Sequence, residues 1–507
     1  MEHSKNDKIV FWGSFVALIA TAFGFIIRAL IIGDWAEEFN LTPTQQGEIF
    51  GVGLWPFAIS IVLFSLIIDK IGYKVAMVFG FVCHVVSLVV TLTATSYNGL
   101  YLGMFIVALG NGTVEAYINP VVATLFKDQK TKWLNILHAG WPGGLVLGGV
   151  LTILLGVDTS WRVKMLLLAI PTVVYFFMLI KQKFPVNERV AAGVTYKEML
   201  GEVGGVGILI ISWMILAEVF RVFSITEAPV MTAAYVALAV GVISGVYVKS
   251  IGRPMYIFLL LIMVLLATTE LGVDSWVTEL MEPAMGKFAP WLLVYTSFLM
   301  MVLRFNAGPI VHRLNPIGLL AICSLVACLG LLSLSAAQGA LMIMLAATLY
   351  AVGKTFFWPT ALGVVAEQFP KGGALTLNAM GGVGMLGVGV LGAMLLGNIQ
   401  DTTIDDVLKE KAPVVHEQVM VPEDGLFGEY NSIDQEKLAS TSEESQALVK
   451  EVQDGSKQIA LKEVAILPGI MLVCYLILLG YFKTKGGYKP EVIGGAAAGH
   501  PDEETAF

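Results

Sequence analysis

Apolar residues run along this chain in long blocks separated by short polar segments. Each block is long enough for a helix to cross the roughly 30 Å hydrocarbon core of a bilayer, which takes about 20 residues. Alternating ten-residue segments, the mark of a membrane β-barrel, do not occur. The pattern predicts an all-α integral membrane protein with about 14 transmembrane helices. They fall near 9–32, 45–68, 75–95, 99–126, 133–156, 163–182, 205–224, 229–248, 254–280, 289–311, 316–336, 339–366, 373–398 and 463–483. The first block follows Lys5 and Lys8 but contains Arg28 and is too long for a cleaved signal peptide, so it reads as a retained helix.

Basic residues alternate between loops. Lys70 and Lys74, Lys127 to Lys132, Lys181 to Lys197, Lys249 and Arg253, Arg313, Lys371, and Lys483 to Lys489 fall on one side; Arg162 and Lys164 are the exception. The basic side marks the cytoplasm, so both termini are expected there. The chain also repeats itself. Ser65 to Lys74 has a counterpart in Gly308 to Asn315. Asn119-Pro120 in the fourth block matches Trp358-Pro359 in the twelfth, and each is followed by an Asn (Asn135, Asn378) and a glycine-rich helix. These matches divide the chain into an N-terminal six-helix half (1–182), a cytoplasmic linker with two inserted helices (183–253), a C-terminal six-helix half (254–485) and a disordered cytoplasmic tail (486–507). The glycines, such as Gly144 and Gly148, suit close helix packing.

Composition agrees: 56% of residues are hydrophobic and 14% charged, against roughly 25% charged in soluble domains. The four cysteines sit inside apolar blocks without disulfide or metal spacing, so no metal is expected. No nucleotide-binding loop, paired-carboxylate metal site or Ser/His array points to ATP drive, a cofactor or an enzyme. No nucleic-acid partner is expected. Residues 399–462 are acidic and poor in aromatics, and read as a solvated extracytoplasmic loop with a helical stretch near 443–461.

The segment Asp69-Lys70-Ile71-Gly72-Tyr73-Lys74 resembles the loop between helices 2 and 3 of the major facilitator superfamily, with Ser65 where that loop usually begins on glycine. The two-half layout extends the resemblance over nearly the whole chain. Gly110 to Pro120, followed by Leu134-Asn135-Ile136-Leu137-His138, is similar to the fucose–proton symporter branch. The resemblance implies two pseudo-symmetric six-helix halves and a symporter in the inner or plasma membrane. It also implies alternating access, proton coupling through Glu115, and a sugar-facing position at His138. It further implies that Asp69, Lys70, Gly72, Lys74 and Arg313 latch the halves at the inner face. Where that branch uses an aspartate in helix 1, this chain has Ala29 beside Arg28.

Charges inside apolar blocks are costly, so each needs a partner or a wet cavity. Arg28, Glu115, Glu270 and Lys354 stand out, and Asp274 follows Glu270 by one turn. Aligning the repeats on Pro120 and Pro359 places Glu115 and Lys354 at one position. Aligning Trp35 with Trp276 sets Arg28 opposite Thr269, beside Glu270. The expectation is one ion pair per half, Arg28 with Glu115 and Glu270 with Lys354. Such pairs either fix helix positions or exchange partners with substrate or a proton. Asn119, Asn135, His138 and Trp358 join them as site candidates, with Tyr117, Trp141, Trp276 and Phe357 as further lining. Arg304 reads as a snorkelling or loop-pinning residue near the cytoplasmic end of its span. The expected solute is a sugar or sugar-like compound carried with protons, within membrane lipid. An organic anion held by Arg28 and Lys354 is the alternative, and a non-transporting membrane sensor is the rival of another class.

Overall fold

The computed structural model describes residues 4–274, 286, 289–425 and 428–493. Helix α1 (Lys5–Phe39) opens on a capping box. The Ser4 hydroxyl accepts from the Asp7 amide, and the Asp7 carboxylate from the Ser4 amide. The second span is a short α2 (Pro43–Gly51) and then α3 (Trp55–Ile71). Gly72, at φ 84°, turns the chain into α4 (Tyr73–Leu92) in a conformation that favours glycine. Helix α5 (Tyr97–Leu125) runs unbroken through Pro120. The fifth span is broken into α6 (Lys130–His138) and α7 (Gly140–Leu154), and the sixth into α8 (Trp161–Leu166) and α9 (Ala169–Leu179).

A one-turn α10 (Glu188–Ala191) leads to the inserted pair, α11 (Tyr196–Val222) and α12 (Pro229–Val248). Their backbones touch, since a Cβ on Gly205 would meet the Gly241 carbonyl oxygen at 2.8 Å.

The second half begins with α13 (Pro254–Ala267), which passes into a π turn at Thr268–Gly272. Helix α14 (Ala289–Phe305) bends by 65° into α15 (Ala307–Leu314), and α16 (Pro316–Ala336) follows. The next span is broken into α17 (Gly339–Lys354) and α18 (Phe357–Gln368). Helix α19 (Gly373–Leu386) reaches α20 (Ala393–Lys411) through a second π turn. Among the described residues 12 helical runs are long and apolar enough to span a bilayer, and the bent pair makes up to 13. The span expected at 373–398 is α19, the π turn and the start of α20. Large apolar side chains such as Val89, Phe177, Ile243 and Val246 face outward, as lipid contact requires.

Two expectations need correction. Residues 399–462, expected as a solvated loop with a helical stretch near 443–461, carry more structure than that helix alone. Helix α20 continues into them and is followed by α21 (Pro413–Val419). An antiparallel hairpin of β1 (Met420–Gly425) and β2 (Gly428–Ile433) comes next, then α22 (Gln435–Ala439) and α23 (Glu443–Val464). Ile404, Leu408, Val419, Val449 and Val452 form a separate small core there. These few apolar residues sit at helical spacing on facing helices, a signal that the acidic average conceals. The last span, α24 (Ile466–Thr484), follows. The tail is not wholly disordered either. The Glu491 amide donates to the Glu367 carbonyl at 2.7 Å, and the Gln368 side chain to the Lys489 carbonyl at 2.9 Å. Residues 494–507 lie outside the described ones.

Candidate functional site

Proline has no N–H, so inside a helical run it leaves the carbonyl four residues earlier without its usual donor. Three prolines do this near the centre of the molecule. Pro120 frees the Ala116 carbonyl, Pro142 the His138 carbonyl and Pro359 the Thr355 carbonyl. Side chains supply the missing donors. The Asn378 amide donates to Ala116 O at 2.9 Å, from α19 to α5. Arg304, on α14, donates Nη1 to His138 O at 2.9 Å and Nε to Thr355 O at 2.6 Å. One guanidinium thus holds the breaks of both halves. Its Nη2 reaches Glu270 Oε1 at 2.9 Å, and Glu270 Oε2 accepts from the Trp358 amide at 3.3 Å. Arg304 is 1% exposed and Glu270 3%, so the pair lies in low dielectric, where charge-assisted bonds are strong.

Glu115, Asn119 and His138 form a second chain of contacts. Asn119 Nδ2 donates to Glu115 Oε2 at 2.6 Å, and Asn119 Oδ1 faces His138 Nε2 at 2.9 Å. An amide oxygen only accepts, so the neutral imidazole carries its proton on Nε2. His138 Nε2 stands 4.0 Å from Glu115 Oε2. Because Arg304 binds the carbonyl of the same His138, the two networks meet at the α6–α7 break.

The expected ion pairs are not the observed ones. Glu270 pairs with Arg304, and Lys354 pairs with Asp274 while lying 5.2 Å from the Tyr350 ring centroid. Glu115 has the Asn119 amide and His138 as neighbours in place of Arg28. The reason is helical phase. Helix α5 is continuous through Pro120, whereas the chain breaks between Lys354 and Pro359, so equal spacing from proline aims the two side chains differently. The π turn at Thr268–Gly272 also rotates Asp274 relative to Glu270. Arg304 was expected to snorkel or pin a loop, and is instead 1% exposed. The missed signal is the pair of prolines, whose freed carbonyls require a buried donor.

Arg28 is 4% exposed and has no carboxylate partner among the described residues. Its Nη1 contacts the Ile49 carbonyl at 3.5 Å, its Nε has no hydrogen-bond partner, and its guanidinium lies 5.6 Å from the Phe25 ring and 5.0 Å from the Phe50 ring. Gly53 makes room for it, since a Cβ there would fall 2.1 Å from Nη1. Phe25 in turn packs on Trp141, centroid to centroid 5.7 Å. Trp358 is buried over Gly381 and Gly384, and Phe357 is fully buried. Tyr117 packs on Phe184 with its hydroxyl unpartnered. Trp276 lies outside the described residues.

Toward the face that carries the termini, further hydrogen bonds join the halves. The Thr131 amide and hydroxyl donate to Glu367 Oε1 at 3.1 and 2.5 Å, Lys130 Nζ to Ala366 O at 3.2 Å, and Asn135 Nδ2 to Thr360 Oγ1 at 3.1 Å. Tyr488 donates to Glu367 Oε2 at 2.8 Å. Burial, and then the Glu367 carboxylate beside it, push the Tyr488 phenol well above its ordinary range, which keeps it a donor. The expected latch residues engage the linker and the inserted pair. Asp69 pairs with Arg189, and Lys70 Nζ lies 5.4 Å from the Tyr196 ring, while Lys74 and Arg313 are exposed.

Residues 13–277 match the family model of the Major Facilitator Superfamily. The chain belongs to the Major Facilitator Superfamily. It is accordingly a multi-pass membrane protein of a transporter family. The E. coli fucose:proton symporter, at 14% identity, has the same fold, with a TM-score of 0.59 over 93% of this chain and 98% of that one. Among curated relatives, a TsgA homolog of Buchnera aphidicola is 26% identical over 37% of this chain and 49% of its own length. A gentisate transporter of Corynebacterium glutamicum is 26% identical over 31% and 36%. The chain thus spans half or less of the length of these curated relatives.

Proposed function

We propose that this protein is a proton-coupled secondary transporter that moves a small, hydroxyl-rich polar solute by alternating access. The half from residue 1 to 182 rocks against the half from 254 to 485, and the base that carries the termini faces the cytoplasm. The observation that supports this reading best is the buried chain from Glu115 through Asn119 and His138 to Arg304 and Glu270. It passes from one half to the other across two helix breaks. A proton taken up by Glu115 changes the acceptor that Asn119 sees. Asn119 orients His138, and the His138 backbone is held by Arg304 of the opposite half. Protonation is thereby tied to the seam that must open for release. Asn135, Asp274, Lys354 and Trp358 complete the surroundings in which solute hydroxyls are held.

Uptake into proteoliposomes under an imposed proton gradient tests the proposal. Glu115→Gln is expected to abolish gradient-driven accumulation while leaving exchange of labelled for unlabelled solute. Accumulation that persists in this variant would remove Glu115 from the coupling.

A further inference from the structure

Besides His138, the ionisable candidates are three cations, Arg28, Arg304 and Lys354, and three carboxylates, Glu115, Glu270 and Asp274. With His138 neutral, their charges cancel. They are not equally partnered. Arg304 is tied to Glu270 and Lys354 to Asp274. This leaves Arg28 as a buried cation with one long contact to a carbonyl, and Glu115 as a buried carboxylate whose neighbours are an amide and an imidazole. A buried guanidinium with an unpartnered Nε calls for an anion.

We infer that the solute carries a carboxylate that seats on Arg28, and that each such anion enters with one proton on Glu115. This rests on the proton-coupled reading above and specifies its substrate as a small organic acid, such as a sugar acid. The Nε edge of Arg28 presents parallel N–H donors to a carboxylate. Phe25 and Phe50 flank the guanidinium, and Gly53 leaves room for it where a Cβ would clash. The half-buried Phe25 and Trp141 continue from this seat to the α6–α7 break, where the solute's remaining face meets His138 and the Arg304 network. The stoichiometry follows from charge. A neutral site that takes in one carboxylate becomes a buried monoanion unless a proton accompanies it. Glu115 is the carboxylate free to receive that proton, because Glu270 and Asp274 are held by cations. Around Glu115 stand the Asn119 amide, His138 from α6 and, through the His138 carbonyl, Arg304 from α14. The net step moves one anion and one proton together and displaces no charge.

The full-length protein in proteoliposomes, supplied with labelled glucuronate, gluconate or glucose, tests the inference. Uptake is measured under a proton gradient with the membrane potential clamped by potassium and valinomycin. Expected is proton-driven uptake of an acid that is indifferent to the clamped potential. It should fall about tenfold or more in Arg28→Gln, with the loss of a charge-assisted bond, and recover in part in Arg28→Lys. Thermal unfolding of the purified protein guards against misfolding: glucuronate should raise the Tm of the wild type and of Arg28→Lys, and leave Arg28→Gln unchanged. Proton-driven glucose uptake unaffected by Arg28→Gln would overturn the carboxylate seat and leave the proton-coupled reading standing. Arg28-dependent acid uptake without proton dependence would overturn that reading and the one-proton stoichiometry, and keep the seat.

Discussion

Arg304 serves three acceptors with one planar group, a task that lysine cannot perform. Its three bonds diverge to Thr355 O, His138 O and Glu270 Oε1, whereas an ammonium on a flexible stem reaches one or two of them. Arg304→Lys keeps the charge beside Glu270 and leaves at least one proline-freed carbonyl without a donor in low dielectric. Such orphaned groups cost about 1–3 kcal/mol each. The variant is therefore expected to unfold at lower temperature and to lose transport. Arg304→Ala should be worse, because it also strands Glu270, at a cost of roughly 3–5 kcal/mol for breaking a buried pair. Equal melting temperatures for wild type and Arg304→Lys would show that the two backbone contacts contribute nothing. At this scale the sequence was only partly legible. Glu115, Glu270 and Lys354 announce themselves as charges in apolar surroundings. Their pairing does not, because it depends on side-chain direction across helix breaks.

The breaks themselves belong to the helices. Pro120, Pro142 and Pro359 are alike as letters, yet α5 continues through Pro120 while the other two spans interrupt just before their prolines. Asn378 supplies the donor missing at Pro120 from the other half, as Arg304 does at the two breaks. Restoring an N–H at position 142 should separate the functions of the fifth span. In Pro142→Ala the new amide can bond His138 O within the helix and compete with Arg304 Nη1. The helix gains a bond, and the contact between halves loses one. Transport is expected to fall several-fold with the melting temperature maintained or raised, since the new amide adds a helical bond where proline offers none. A parallel loss of both would mean that the break serves stability alone. The subdomain at 399–462 is the other lesson at this scale. Average composition describes it as solvated chain. The positions of Ile404, Leu408, Val449 and Val452 describe two packed helices.

For the whole molecule, the described hydrogen bonds between the halves gather at the centre and at the base that carries the termini. Glu367 is the hub of the base. One oxygen takes the Thr131 amide and hydroxyl of the first half, and the other takes Tyr488 of the chain's own tail. Asn135 and Asn378, counterparts in the repeat, both reach across the seam, and each keeps a buried oxygen without a partner. A seam with spare acceptors can exchange partners as it opens. Glu367→Gln removes the charge that strengthens these bonds and should shift the population toward a base-open form. With the native cysteines replaced, a cysteine at Thr360 should then react several-fold faster with an impermeant thiol reagent applied from the base side. An unchanged rate would exclude Glu367 as a latch.

Much of the architecture followed from the sequence alone. Spans, halves, the inserted pair and the family all rest on hydropathy, repeat spacing and the Asp69 to Lys74 segment, which are local properties that survive without knowledge of neighbours. The list of buried charges was local in the same way, since an ionisable residue in an apolar block is conspicuous wherever the helix packs. Tertiary structure decided who meets whom. Helix breaks and π turns reset the angular phase, so equal spacing in sequence became unequal direction in space. That is why Lys354 met Asp274, Glu270 met Arg304, and Arg28 was left beside two aromatic rings with no carboxylate partner among the described residues.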